Sequence, residues 1–242
     1  MQGIWLGIHI IGVIVCFILM NYVLHTKDTS YKSSLVLTVA CGIIIFVARC
    51  LYIQADSLDE LLAYSGMEYL GKCYAEFWLL VFIAEYRTGK VPKRFLGVLG
   101  GINTVMLAIV LTCKYHHLYY TSIAMKYTPF GYILELGKAP LYYAYMAFNL
   151  LQLLLFLFYC IRPMEKQFLF KNAKMLRILL CTAGIAPIFM ISLSLSGITH
   201  SVDTTPLGAL LTTVILVLAI KYYGLLDTVS DAKDLLVESM DE

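Results

Sequence analysis

The sequence predicts an all-α membrane protein, a seven-transmembrane helix bundle with its N-terminus outside and its C-terminus cytoplasmic, followed by a short cytoplasmic helix. Three observations lead there. Of 242 residues, 60% are hydrophobic and 14% charged, where a soluble domain carries about 25% charged residues. Seven apolar runs, at 4–24, 35–54, 68–87, 95–113, 140–161, 175–196 and 206–223, approach the ~20 residues that cross a hydrocarbon core of about 30 Å. Most of the 18 Lys and Arg fall in the joints 25–34, 86–94 and 161–177 and in the tail from 221, which places those segments in the cytoplasm by the positive-inside rule. An odd number of spans puts the termini on opposite sides, in agreement with that bias. A net charge of +2 without an aromatic-interleaved basic block leaves no electrostatic footprint for nucleic acid.

The first run follows Met1-Gln2-Gly3, which lacks the basic n-region of a cleaved signal sequence, so it is expected to remain as a span. In the second, Arg49 lies five residues from the outer end, about 7 Å deep at 1.5 Å per residue. The third carries Glu68, Lys72 and Glu76 at i, i+4 and i+8, hence on one stripe, with Glu76 about 12 Å deep. Arg49 and Glu76 are expected to pair laterally, either as a clamp between spans 2 and 3 or as part of a ligand or proton site in an outer vestibule, since charge within a span is costly and marks function by default. Glu85-Tyr86-Arg87 closes the third span as a helix-end charge cluster.

The fourth run holds Gly97, Gly101 and Asn103, and the longest connection, 114–139, follows it; Pro129, Gly131 and its aromatic residues mark an ordered lid or re-entrant stretch. His116 and His117 are adjacent and point apart, so they do not chelate a metal by themselves. Twelve of 18 tyrosines lie toward the outer half, as part of an interfacial belt or as the lining of an outer cavity. His9, Asn21, Asn103, Asn149 and Gln152 are expected to bond between helices. Pro187 in the sixth run predicts a kink whose freed backbone groups Ser192, Ser194 and Ser196 take up. Cys73 and Cys113 lie near the outer ends of their spans, as free thiols or as a bridge. The seventh run has no mid-membrane lysine, which argues against a retinal Schiff base. Beyond it, Leu225, Val229, Ala232, Leu236 and Met240 recur at helical spacing opposite Asp227, Asp231, Asp234 and Glu238, the pattern of a short parallel coiled coil.

No HExxH, GxSxG or phosphate-binding glycine motif is present. The strings AEFWLLVFIAEYRTGK, KYHHLYY, GIAPIFMISLSLSG and, most specifically, TPLGALLTTVILVLAIKYYGLLDTVSDAKDLLVESMDE resemble the N-terminal seven-transmembrane sensor region of bacterial histidine kinases and diguanylate cyclases. The resemblance runs over essentially the whole chain. It implies a non-catalytic input domain, 1–223, with a cytoplasmic connecting helix, 224–242, leading to an output module that is not in this sequence.

The expected function is therefore that of a sensory receptor domain of the bacterial inner membrane. It would detect an extracytoplasmic or membrane-embedded small ligand and relay the signal through helix 7 to a histidine kinase or diguanylate cyclase module. Arg49, Glu68, Lys72, Glu76, Tyr142, Tyr145 and Asn149 are the candidate ligand-binding residues, and Pro187, Leu225, Val229 and Leu236 the candidate relay. Expected partners are the lipid bilayer, the ligand and a second copy joined through the C-terminal helix; no cofactor or metal is expected. The competing class, a small membrane transporter or channel, predicts internal repeats and broken helices at the midplane, and spans 1–3 and 5–7 show no convincing repeat.

Overall fold

A computed structural model describes residues 1–26, 29, 31–162, 173–196, 203–223 and 225. Its seven helices are α1 (Gln2–His25), α2 (Lys32–Ile53), α3 (Leu58–Thr88), α4 (Lys93–Leu111), α5 (Pro140–Ile161), α6 (Ala173–Leu195) and α7 (Thr205–Tyr223). Six of them are long and apolar enough to cross a membrane; the seventh, α3, has 31 residues and carries the charged ladder. Apolar side chains such as Ile10, Ile14 and Phe17 of α1 and Val98 and Val105 of α4 are exposed, as expected of surfaces whose solvent is lipid.

α1 packs on α2 and α2 on α3, α3 packs on both α4 and α5, α5 on α6 and α6 on α7, and α7 returns to α1 and α2, so that α1, α2, α3, α5, α6 and α7 form a ring with α4 on the outside of α3. The tightest seam joins α2 and α3. A Cβ at Gly71 would lie 2.6 Å from Ile45 Cγ1 and 2.7 Å from the Cys41 carbonyl oxygen, so only glycine permits that approach.

One end of the ring is filled by a core that includes Phe46, Phe77, Phe82, Phe156 and Leu216. Near this end Arg87 of α3 donates from Nε to the Tyr159 carbonyl at 2.7 Å, from Nη2 to the Cys160 carbonyl at 2.8 Å, and to the Arg162 carbonyl. It thereby satisfies the orphan acceptors at the C-terminus of α5. Ser34 Oγ donates to Glu85 Oε2 at 2.6 Å, so the charged residues Glu85 and Arg87 at the end of α3 tie it to α2 and α5.

The connection 114–139 departs from an all-α description. After a 3-10 turn at Cys113–Tyr115, strands β1 (Tyr120–Thr128) and β2 (Gly131–Lys138) form an antiparallel hairpin. Thr128 pairs with Gly131 across Pro129 and Phe130; the proline fixes φ in the turn, and Gly131 takes φ 104°, a conformation that suits glycine. The hairpin is pinned to the helices. Leu134 N donates to Tyr52 Oη at 2.7 Å, Gln2 Nε2 reaches the Ile53 carbonyl beneath the turn at 2.7 Å, and Phe130 meets Trp5 edge-on at 5.9 Å. The lid is thus a β-hairpin. Beside it His116 Nε2 lies 3.0 Å from Thr112 Oγ1, a local turn contact.

Two polar expectations change. The carbonyl freed by Pro187 is that of Ala183, four residues back, and it is taken by Thr212 Oγ1 of α7 at 2.8 Å; Ser192 and Ser196 bond within their own helix, to Ile188 and Leu193. A hydroxyl one helix away outreaches the serines because they lie C-terminal to the freed acceptor and can reach back only to their own preceding turns. His9 Nδ1 lies 2.7 Å from the Trp5 carbonyl, and Gln152 Nε2 donates to Asn149 Oδ1 at 3.3 Å, both within one helix. Of the residues expected to bond across helices, Asn103 does so, accepting from Tyr145 Oη at 3.1 Å.

Cys73 and Cys113 are free thiols. Beyond α7, Leu225 is buried in a turn, its N–H donating to the Ala219 carbonyl at 3.2 Å. Val229, Leu236 and the rest of the coiled-coil pattern lie outside the described residues.

Candidate functional site

Between the hairpin and the aromatic core the ring encloses a cavity of about 490 Å³, within the range of small-molecule sites. All seven candidate ligand-binding residues line it, Arg49 from α2, Glu68, Lys72 and Glu76 from α3, and Tyr142, Tyr145 and Asn149 from α5, as does Pro187 of α6. The hairpin roofs it with Phe130, Tyr132, Ile133, Leu134, Leu136 and Lys138. Six tyrosines line the wall: Tyr52, Tyr69, Tyr120, Tyr132, Tyr142 and Tyr145. The tyrosine bias in the sequence therefore includes a cavity lining.

The expected lateral pair is redirected. Arg49 Nη1 donates to Glu68 Oε2 at 3.1 Å, with the two side chains only 7% and 3% exposed. Lys72 Nζ lies 2.8 Å from Glu68 Oε1 and also pairs with Asp203, just before α7. Arg49 Nη2 reaches the Asp203 carbonyl at 3.2 Å. Glu68 outcompetes Glu76 for Arg49 because it lies two turns nearer the end of α3 at which Arg49 of α2 arrives. Two cations and two anions thus close into one cluster that ties α2 and α3 to the start of α7.

Asp203 is the member that sequence reasoning missed. Outside every apolar run, it reads as a helix-start residue, and it does serve there, with Oδ1 accepting from Thr205 N at 2.9 Å and Thr205 Oγ1 at 2.7 Å. Its second oxygen is what joins the cluster. The signal available was a lone acid in the short joint preceding a span, level with charged residues near the same ends of spans 2 and 3.

Beside the cluster three tyrosine hydroxyls bond to one another. Tyr69 Oη lies 2.9 Å from Tyr120 Oη, and Tyr119, fully buried, donates to Tyr69 at 3.5 Å. Burial pushes the Tyr119 and Tyr120 hydroxyls well up from their ordinary value, so they act as neutral donors and acceptors. Outside the cavity, Lys114 holds Asp59 at 2.6 Å on the surface, and this hydrogen bond raises the Lys114 ammonium.

Burial by itself would raise the carboxyl of Asp203, but Lys72 and Arg49 outweigh it and hold it well below the usual carboxylate range. A depressed acid contributes stability that is complete above its ordinary value of 3.8 and is lost as pH falls from there toward the folded value. The difference in melting temperature between the native chain and Asp203→Asn is therefore expected to stay constant between about pH 5 and 8 and to shrink below about pH 4. A difference that varied through neutral pH would show that a group other than Asp203 governs the cluster.

The model of a protein family described as the N-terminal 7TM region of histidine kinase matches residues 8–229. The chain belongs to that family. The match takes in most of α1, all of α2 to α7 and the hairpin, so the ion cluster and all of the cavity lining except Trp5 lie within the matched seven-transmembrane region. None of the curated proteins compared matches the chain. Within this histidine kinase region no group of three or more His, Cys, Asp or Glu is placed to hold a metal among the described residues.

Proposed function

We propose that this region is the sensory input of its histidine kinase, with a small ligand entering the cavity on the hairpin side and biasing the position of α7. The hairpin end faces the extracytoplasmic side of the bacterial inner membrane in this reading, because the Lys- and Arg-rich joints gather at the opposite end. The supporting observation is that the cavity and the ion cluster share a wall. Arg49, Lys72 and Asp203 line the cavity while fastening the start of α7, so a ligand that rearranges the cluster moves the helix that continues toward the kinase. Pro187 of α6 lines the same cavity and abuts Gly208 of α7, which gives the bundle a second contact through which to pass the shift. A connecting helix over 224–242, paired with that of a second copy, would carry it onward. To switch from mostly off to mostly on, the ligand needs a preference of up to about 10⁴-fold for one state.

The test uses a histidine kinase carrying this region in vesicles. Ala75→Phe fills the cavity wall without removing a polar group, and Ile14→Phe makes a similar change on the exposed face of α1. Ala75→Phe is expected to shift basal autophosphorylation by about fivefold or more, with Ile14→Phe near the native value. Equal output from both would overturn the assignment, and solute flux through the native protein in proteoliposomes would replace it with a transporter.

A further inference from the structure

We infer that the ligand carries an organic ammonium group and that Glu76 is its counter-charge, an inference that rests on the cavity being the input site. The charged residues lining the cavity are Arg49, Lys72 and Lys138 against Glu68, Glu76 and Asp203. Four of these are committed to one another in the ion cluster. Lys138 lies at the hairpin's base, 4.9 Å above the Tyr142 ring. Glu76 remains. Among the described residues no cation comes within ion-pair distance of it, and its Oε2 is buried without a hydrogen-bond partner.

Glu76 stands one helical turn beyond Lys72 and lines the cavity together with Tyr145 and Asn149 of α5 and Thr212 and Thr213 of α7. A carboxylate at that depth is costly unless something pairs with it, and the described residues supply no such partner. The walls favour a cation as well. The cavity's own tyrosines already hold cations over their faces, Arg49 over Tyr52 at 4.8 Å, Lys72 over Tyr69 at 5.5 Å and Lys138 over Tyr142. Such contacts are the usual way a desolvated ammonium is held, and Tyr145, over which no cation among the described residues lies, lines the same cavity close to Glu76. An anion finds poorer terms. Arg49 Nη1 and Nη2 and the Lys72 ammonium already face Glu68 and Asp203, whose negative charge repels an anion, and Arg49 Nε, though without a hydrogen-bond partner, is buried beside them. The ammonium belongs either to a free amine or to the headgroup of a choline or ethanolamine lipid, which share this chemistry.

The chain has two tryptophans, and Trp5 lines the cavity, so a Trp78→Phe background reports on the site by fluorescence. The full chain in phosphatidylglycerol vesicles is titrated with benzyltrimethylammonium, with neopentylbenzene as its uncharged isostere, and with benzoate. Saturable quenching by benzyltrimethylammonium is expected. Glu76→Gln should weaken it about tenfold or more, Glu76→Asp should keep it within about threefold, and the neopentylbenzene response should be the same in all three. Equal ammonium affinity in Glu76→Gln, or no saturable response to benzyltrimethylammonium, overturns the inference. Binding of benzoate instead, lost in Arg49→Met, would also overturn it while leaving the cavity as the input site; the kinase output of Ala75→Phe tests that site independently. Replacing a third of the lipid by phosphatidylcholine separates the sources: weaker probe binding assigns the lipid headgroup, unchanged binding assigns a free amine, and both support the ammonium assignment.

Discussion

Arg49→Met is expected to destabilise the bundle by about 3–5 kcal/mol, the usual cost of removing one partner from a buried ion pair. For a chain of this size that lowers the melting temperature by on the order of 10 °C. The cause is the charge left behind. With Arg49 absent, Glu68, almost fully buried, and the half-buried Asp203 share a single cation, Lys72. The double variant Arg49→Met with Glu68→Met restores the balance, leaving Lys72 against Asp203. It is expected to recover most of the lost stability, since apolar replacements of a buried pair are often neutral.

The cycle also separates the two roles the sequence leaves open for Arg49. A pure clamp recovers both fold and kinase response in the double variant. A cluster that senses ligand recovers the fold while the response stays lost, because the start of α7 is then held by Lys72 alone. Stability is read from thermal unfolding in detergent and response from autophosphorylation in vesicles. Failure of the double variant to recover stability would mean that Arg49 acts chiefly through its hydrogen bond to the Asp203 carbonyl, a contact both variants lack.

The helices were legible because hydrocarbon thickness imposes a length that apolar runs must match. The run at 140–161 coincides with α5, where Pro140 sits in the first turn, a position that tolerates its missing N–H. α3 was read as beginning at 68 and begins at Leu58, because its first turns, LDELLAYSGM, are too polar for a search based on span hydropathy. Their signature was present all the same. Ser57 and Glu60 have the spacing of a capping box: Glu60 N donates to Ser57 Oγ at 3.3 Å, while Glu60 Oε2 accepts from Asp56 N, one residue before the cap, at 3.0 Å.

The hairpin likewise has its own pattern in Thr128-Pro129-Phe130-Gly131 between two strand-length segments, which aromatic content obscured. For the site, charge within an apolar run singled out Arg49, Glu68, Lys72 and Glu76, all of which face one cavity. Which carboxylate Arg49 takes was beyond the sequence, since pairing depends on how α2 and α3 are offset along their shared seam. Asp203 was hidden for a different reason, in that an acid in a joint costs nothing until the fold buries it.

The second large effect lies where α6 meets α7. A Cβ on Gly208 would come within 2.8 Å of Pro187 Cα and 3.3 Å of Met190 Cβ. The first of these is backbone and cannot swing aside, so Gly208→Val is expected to cost about 3 kcal/mol, toward the upper end for overpacking. The helices must separate, and separation stretches the 2.8 Å bond from Thr212 Oγ1 to the Ala183 carbonyl. That bond exists because Pro187 has no N–H to offer Ala183, so the two sites are coupled in a way that can be measured.

Thr212→Val alone leaves a buried carbonyl unpaired and should cost about 1–2 kcal/mol. In a Pro187→Ala background the helix supplies its own donor, and the same substitution should cost little, a coupling visible in a double-mutant cycle. Kinase output distinguishes a relay from a mere seam. If α6 and α7 pass the signal through this contact, Pro187→Ala keeps or raises stability while blunting the response, because the carbonyl that binds α7 to α6 is then bonded within α6. An unchanged response in Pro187→Ala, with stability retained, would remove this contact from the relay and leave the ion cluster at Asp203 as the route by which the cavity moves α7.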